Sequence, residues 1–182
     1  MLAAHRQLGT RAGVIGNVQR AVSSGAVDHA GIFFNHKGKP EHVRELPPSW
    51  WTTLIAPTRL VDAVTGACLL VDAMLWRELR GFDEGYANGC EDVDFCHRAA
   101  ALGRLNAVAR TSVVRHHISA SPNRKRRDEE NTHLLTRRWK AELVQRSVRS
   151  WCRYYYETCS LTPRDAEYVL AWRIWLHAAG VS

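Results

Sequence analysis

Residues 12 to 19, AGVIGNVQ, contain no charged side chain and no proline. A short apolar run of this kind reads as a strand with no face fit for water. Such a strand belongs inside a sheet covered on both sides, the arrangement of α/β proteins. The cover is written further along, where GCEDVDFCHRAAALGR (residues 89 to 104) carries apolar residues at helical spacing. Its pattern predicts a helix from about 91 to 101, with Phe95, Ala99 and Leu102 on one face and Gly103 just past the end. The fold class expected is α/β.

The remaining segments fill out that scheme. LAAHRQLG suggests a short helix end ahead of the strand. Residues 26 to 38 alternate loosely and stop at Lys37-Gly38-Lys39-Pro40, a strand and a turn. Pro47 to Pro57, with Pro48 and the Trp50-Trp51 pair, reads as an irregular loop. A strand over about 63 to 71 passes into a helix over about 72 to 79, with Gly81 placed to cap it. LNAVAR and TSVVRHH read as two short strands. From about Arg127 the pattern is helical: Leu134, Leu135, Trp139 and Leu143 form an apolar stripe, with Tyr154 and Tyr155 on later turns. A further helix opens at Thr162-Pro163-Arg164-Asp165 and carries Tyr168, Trp172, Trp175 and Leu176 on one side. The expected division is a mixed-sheet domain over 1–120 and a helical extension over 121–182.

A chain of 182 residues, 46% of them hydrophobic, has material for one real core. No stretch reaches the roughly 20 apolar residues that span a bilayer, and the first residues lack a signal-peptide apolar segment. Five cysteines without a CxxC pair read as reduced thiols, which implies a cytoplasmic protein. The net charge of +7 is local: Arg115 to Arg153 holds eleven Lys and Arg against four Asp and Glu, so the rest is near neutral. A basic, Trp-rich tail could lie on anionic lipid at the inner face of a membrane. It could equally be a helical cover with a solvated outer face. No nucleic-acid motif accompanies the charge, so no nucleic-acid partner is expected.

Three acids, Glu91, Asp92 and Asp94, crowd the start of the 91–101 helix. Acids complement the positive end of a helix dipole, and that alone could account for them. A reaction needing a base could also hold one there. The wider stretch VTGACLLVDAMLWRELRGFDEGYANGCEDVDFCHRAAALGR resembles the second half of family 2 glycosyltransferases, enzymes of the GT-A nucleotide-diphospho-sugar transferase fold. The matching pieces are TGAC at 65–68, GFDEGY at 81–86, the Glu91-Asp92 pair, Arg98 and Gly103, in the family's order and spacing. The likeness runs from about residue 10 to 140.

The resemblance implies a partial GT-A-like mixed sheet with flanking helices and an inverting sugar transfer in which Asp92 is the general base. The helix start is expected to lower its pKa and keep it ionised. Glu91 would stand beside the acceptor or fix the loop through a hydrogen bond, and Asp94 would be a helix-start or acceptor-contacting acid. Thr65, Gly66 and Ala67 would form a small-residue floor that lets a sugar approach closely. A divalent metal, Mn²⁺ or Mg²⁺, would take a histidine downstream: His116, with His117 the alternate, since neighbouring strand residues face opposite ways. The donor would be a nucleotide-diphospho-sugar and the acceptor a polysaccharide or glycolipid. The family's DxD-bearing nucleotide-binding half is expected to be missing from this chain, because Asp92-Val93-Asp94 overlaps the acid pair and opens a helix. The chain alone is therefore expected not to transfer sugar, and its AGVIGNV strand to expose an apolar edge. The alternative reading is a non-catalytic remnant or accessory module that pairs with a separate donor-binding domain.

Overall fold

The computed structural model describes residues 1–35, 38–44, 46, 53, 55–117 and 127–159, with side chains through residue 143 in the last segment. Helix α1 (Leu2–Leu8) leads through a 3-10 turn into β1 (Ala12–Ala21), followed by β2 (Val27–His29), β3 (Ile32–Phe34), β4 (Pro40–His42) and β5 (Thr58–Leu60). Helices α2 (Ala73–Glu78) and α3 (Glu91–Ala101) come next, then β6 (Leu105–His116) and α4 (Asp128–Cys159). The main sheet has the order β2-β1-β6-β5, with β1 and β6 parallel and both outer strands antiparallel to their neighbours. A small β3-β4 ribbon stands beside it. The fold is α/β, a mixed sheet with flanking helices, as its sequence patterns imply.

Strand β1 is interior, and Ala12 to Gln19 are buried without a break. The apolar edge expected for it is absent among the described residues. Strand β6 lies along one side, while Ile15 exchanges two 2.8 Å backbone hydrogen bonds with Leu70 and Gln19 pairs with His29 on the other. An apolar strand flanked on both sides offers little ladder for another chain to extend.

Two strand expectations need correction. Residues 63–71 do not form a strand: they make isolated bridges at Ala63 and Leu70, separated by a turn at Gly66–Cys68. Residues 105–116 form one strand rather than two. Its pairing with β1 slips between Asn17 and Val18, whose partners are Ala109 and Val113. Before the slip it is buried on both faces; after it, exposed and half-buried residues alternate, which is why the sequence looks like two strands of different kinds. Strand β5 was not expected.

The main core lies between the sheet, α3 and α4. Val14, Val18, Val64, Phe95, Ala99 and Leu135 are all within it. Phe95 is fully buried and packs against Trp76 at 5.0 Å and Phe82 at 5.6 Å between ring centroids, a burial worth about 2–3 kcal/mol. Leu102, expected on the same face, is 48% exposed; the helix has ended at Ala101, so its angle no longer follows the stripe. Helix α4 begins at Asp128, and its Leu135 and Leu143 enter the same core. It kinks at Trp139. The Trp50-Trp51 pair, the basic stretch 118–126, the side chains of Tyr154 and Tyr155 and the helix expected from Thr162 lie outside the described residues.

Candidate active site

The start of α3 carries two acids with opposite surroundings. Helix α3 has no side-chain cap; its N-cap, Cys90, takes a left-handed φ of 70°, following Asn88 at 59°. Left-handed backbone costs an ordinary residue about 1–2 kcal/mol, so the entry to α3 must be held by its neighbours. Glu91 does part of this, accepting the Gly89 N–H at 2.5 Å. Glu91 therefore fixes the loop, one of the two roles foreseen for it.

Asp92 is half-buried and faces the Thr65-Gly66-Ala67 turn. Its Oδ2 accepts the Gly66 N–H at 2.6 Å, and its Oδ1 accepts the Val93 N–H at 2.8 Å. A side chain at Gly66 would bring its Cβ to 3.3 Å from the Asp92 Cβ, so the missing side chain is what lets the turn approach the acid. Thr65 is buried, and its Oγ1 accepts the Ala67 N–H at 3.4 Å, while Gly66 and Ala67 are exposed. The structure thus brings Thr65, Gly66, Ala67 and Asp92 together from 26 positions apart in sequence.

The expected depression of the Asp92 pKa is overturned. Burial raises it above the ordinary carboxylate value and is the largest influence; the Gly66, Val93 and Asp92 N–H groups pull it back in part, and the charge of Glu91 pushes it further up. Among the described residues no cationic side chain is paired with it. The helix start contributes N–H groups, but too few to offset the lost water.

Asp94 looks the other way. It is fully buried, and four side-chain donors converge on it: Arg98 Nε at 2.7 Å, Trp139 Nε1 at 2.8 Å, Arg138 Nη1 at 3.0 Å and Tyr86 Oη at 3.3 Å. Burial is the largest influence on its pKa and acts upward, but the bonds from Trp139, Arg138 and Arg98 together outweigh it and hold the carboxyl low. An acceptor has no access to a carboxylate in this position. Asp94 ties helix α4 to the loop that presents Asp92.

The GFDEGY segment serves the same clamp. Gly81 donates its N–H to Trp76 O at 2.9 Å and closes α2, as foreseen. Asp83 accepts the Gly85 N–H at 2.7 Å and pairs with Arg138 at 2.6 Å. Arg98 donates to Leu79 O at 2.5 Å and Gly81 O at 2.9 Å. From α4, Asn131 both donates to Ala87 O and accepts from Ala87 N, each at 3.1 Å. Trp139, Arg138 and Asn131 were not foreseen as site residues. Trp139 shows only its apolar spacing in the sequence, and nothing there displays an indole N–H aimed at an acid 45 residues away.

His116 ends β6 half-buried, with Nδ1 3.5 Å from Asp28 Oδ2, and His117 is exposed. Among the described residues no three His, Cys, Asp or Glu side chains form a cation cage. The pair at His116 is short of the donor set a divalent cation takes, so the residues described do not make a metal site by themselves. Cys68, Cys90 and Cys96 are free thiols, and burial pushes Cys90 up to about 11. A cavity of about 250 Å³, lined by Leu60, Asp62, Gly103, Arg104 and Asn106, opens at the far end of α3 from Asp92.

Over 89 residues the chain is 35% identical to N-acetylglucosaminyl-diphospho-decaprenol L-rhamnosyltransferase from two strains of Mycobacterium tuberculosis, an alignment covering 43% of this chain and 29% of each relative. The chain therefore spans less than a third of the length of these relatives. No family model matches. The similarity supports a relation to glycosyltransferases. Among the described residues no helix is long and apolar enough to cross a membrane.

Proposed function

We propose that this chain is the acceptor-side part of an inverting glycosyltransferase of the family 2 type, with Asp92 as its general base. The observation that carries the reading is the Asp92 carboxylate, held by the Gly66 N–H at 2.6 Å beside an exposed turn and with its pKa raised by burial. An acceptor hydroxyl titrates far above neutrality, so its proton must leave as the new bond forms. Asp92 takes that proton. The hydroxyl oxygen bonds to the anomeric carbon from one side, and the bond to the nucleoside diphosphate breaks on the other, the leaving group keeping the electron pair. A raised carboxylate pKa makes a stronger base.

The acceptor class we adopt is a lipid-linked glycan, after the name of the mycobacterial relatives, and the donor is a nucleotide-diphospho-sugar. The exposed Gly66 and Ala67 form the floor on which the sugar rests, and Glu91 and Asp94 hold the loop and helix that carry the base. Mn²⁺ or Mg²⁺ is a cofactor of this reading only with further ligands beyond His116, supplied with the nucleotide by a donor-binding half. The chain then works with such a half at the inner face of a membrane.

The test is transfer from nucleotide sugars to a lipid-linked acceptor, with and without a donor-binding partner. Asp92→Asn keeps an oxygen for the Gly66 N–H but loses the base, so turnover drops about 10²–10⁴-fold with the fold intact. Near-normal turnover contradicts the assignment. Calorimetry of the chain alone with nucleotide sugars and Mn²⁺ is expected to show no micromolar binding, and a micromolar donor site would contradict the partnered reading.

A further inference from the structure

The turn that holds Asp92 is itself held from behind. His29, at the end of β2, is fully buried. Its Nε2 accepts the Gly31 N–H at 3.3 Å and the Thr65 N–H at 3.4 Å, and its Nδ1 lies 3.2 Å from His42 Nδ1. A nitrogen that accepts two amide protons carries none of its own, so the ring's proton is on Nδ1 and points at His42. The next amide along the chain, Gly66 N–H, reaches the other way and donates to Asp92 Oδ2 at 2.6 Å. Two consecutive amides are therefore strung between an imidazole and a carboxylate.

Three features make this more than packing. The Gly31 N–H can turn back onto the ring because Gly31 has a left-handed φ of 114°, and a Cβ there would stand 2.6 Å from Val61 Cγ1. The Gly66 bond is the shortest that Asp92 makes. And residues 64 to 69 belong to no strand, so no ladder fixes the Thr65–Gly66 peptides; the two side-chain acceptors do.

We propose that His29 is a positioning residue for Asp92, setting through the Thr65 and Gly66 amides both the place and the proton affinity of that carboxylate. The proposal rests on the reading of Asp92 as the base, but its readouts are spectroscopic and stand apart from turnover, which Asp92→Asn decides. In the full chain, His29→Leu fills the same space without an acceptor. The turn relaxes, the Gly66 amide proton moves toward the position of a weaker hydrogen bond, and the Asp92 carboxyl titrates at higher pH, having lost a bond that favours its ionised form. Glu91, Cys90 and Cys96, the other titratable groups near Asp92, are untouched by the change. His29→Gln, whose side-chain oxygen accepts both amides, restores the wild-type values. Should His29→Leu not fold, the wild-type ¹⁵N imidazole spectrum still decides: the proposal requires a bare Nε2 at neutral pH. A protonated Nε2 overturns it. So does a folded His29→Leu with the Gly66 and Asp92 signals unmoved, or a His29→Gln that shifts them as far as leucine does.

Discussion

Asp92 and Asp94 stand two residues apart in one helical turn, yet they meet different chemistry. Asp94 is fully buried with four side-chain donors, two of them guanidinium groups, and its carboxyl is held low. Asp92 is half-buried with backbone N–H partners, and its carboxyl is pushed up. Lost water acts upward on both; the supply of positive partners separates them. A carboxylate surrounded by cations is inert and structural, whereas one given two amides and little water retains its appetite for a proton. The buried acid anchors helix α4 and the GFDEGY loop so that the other can be presented to solvent at a fixed place.

The sharpest way to break this contrast is to exchange what each acid does. Asp92→Asn should cost activity by about 10²–10⁴-fold and leave the fold in place. Asp94→Asn should do the reverse, acting first on stability. Breaking a fully buried pair costs about 3–5 kcal/mol. Arg98 and Arg138 are 21% and 36% exposed and keep part of their water, so we expect about 2 kcal/mol, measured by denaturant midpoint. Because the folded-state pKa of Asp94 is depressed, this stabilisation is present above the ordinary carboxylate range and is lost as pH falls through the folded pKa. The gap between wild type and Asp94→Asn should therefore close in acid.

Arg138→Met comes next, at about 1 kcal/mol or less, since a pair with one partner 36% exposed is worth little. It should loosen the clamp between α4 and residues 83–94 without touching Asp92. The smallest effect has the opposite sign. A raised folded-state pKa means that the ionised Asp92 is penalised in the fold, beginning above the unfolded value and fully above the folded one. Asp92→Asn should then slightly raise the melting temperature at neutral pH, with the gain fading on acidification. A variant that loses activity and gains stability is what a functional, poorly solvated acid produces. If Asp92→Asn destabilises the fold instead, Asp92 is the structural member of the pair.

Much of this was legible in the sequence because it rests on local chemistry. Helix α3 runs over the expected 91–101, since its apolar period and terminal Gly103 are both local signals. Strand β1 and the closure of α2 by Gly81 follow for the same reason. Glu91, Asp92 and the Thr65–Ala67 turn were singled out by motif, and the turn and Asp92 do meet. What the sequence did not disclose is pairing at long range. The segment 63–71 has strand composition but joins its neighbours only at Ala63 and Leu70. Thr58–Leu60 looks like the tail of a proline loop until β6 pairs with it. The direction of the Asp92 pKa went wrong because the helix dipole is visible in a sequence while desolvation is not. The different fates of Asp92 and Asp94 likewise depend on α4, more than 30 residues away.

The most direct test of the central claim is a carboxyl ¹³C titration of the full chain, with the two aspartates assigned through Asp92→Asn and Asp94→Asn. Asp92 should titrate above the ordinary carboxylate value of about 3.9 and Asp94 below it. If both titrate together, or if Asp94 lies higher, then Asp92 is an ordinary helix-start acid and not a poised base.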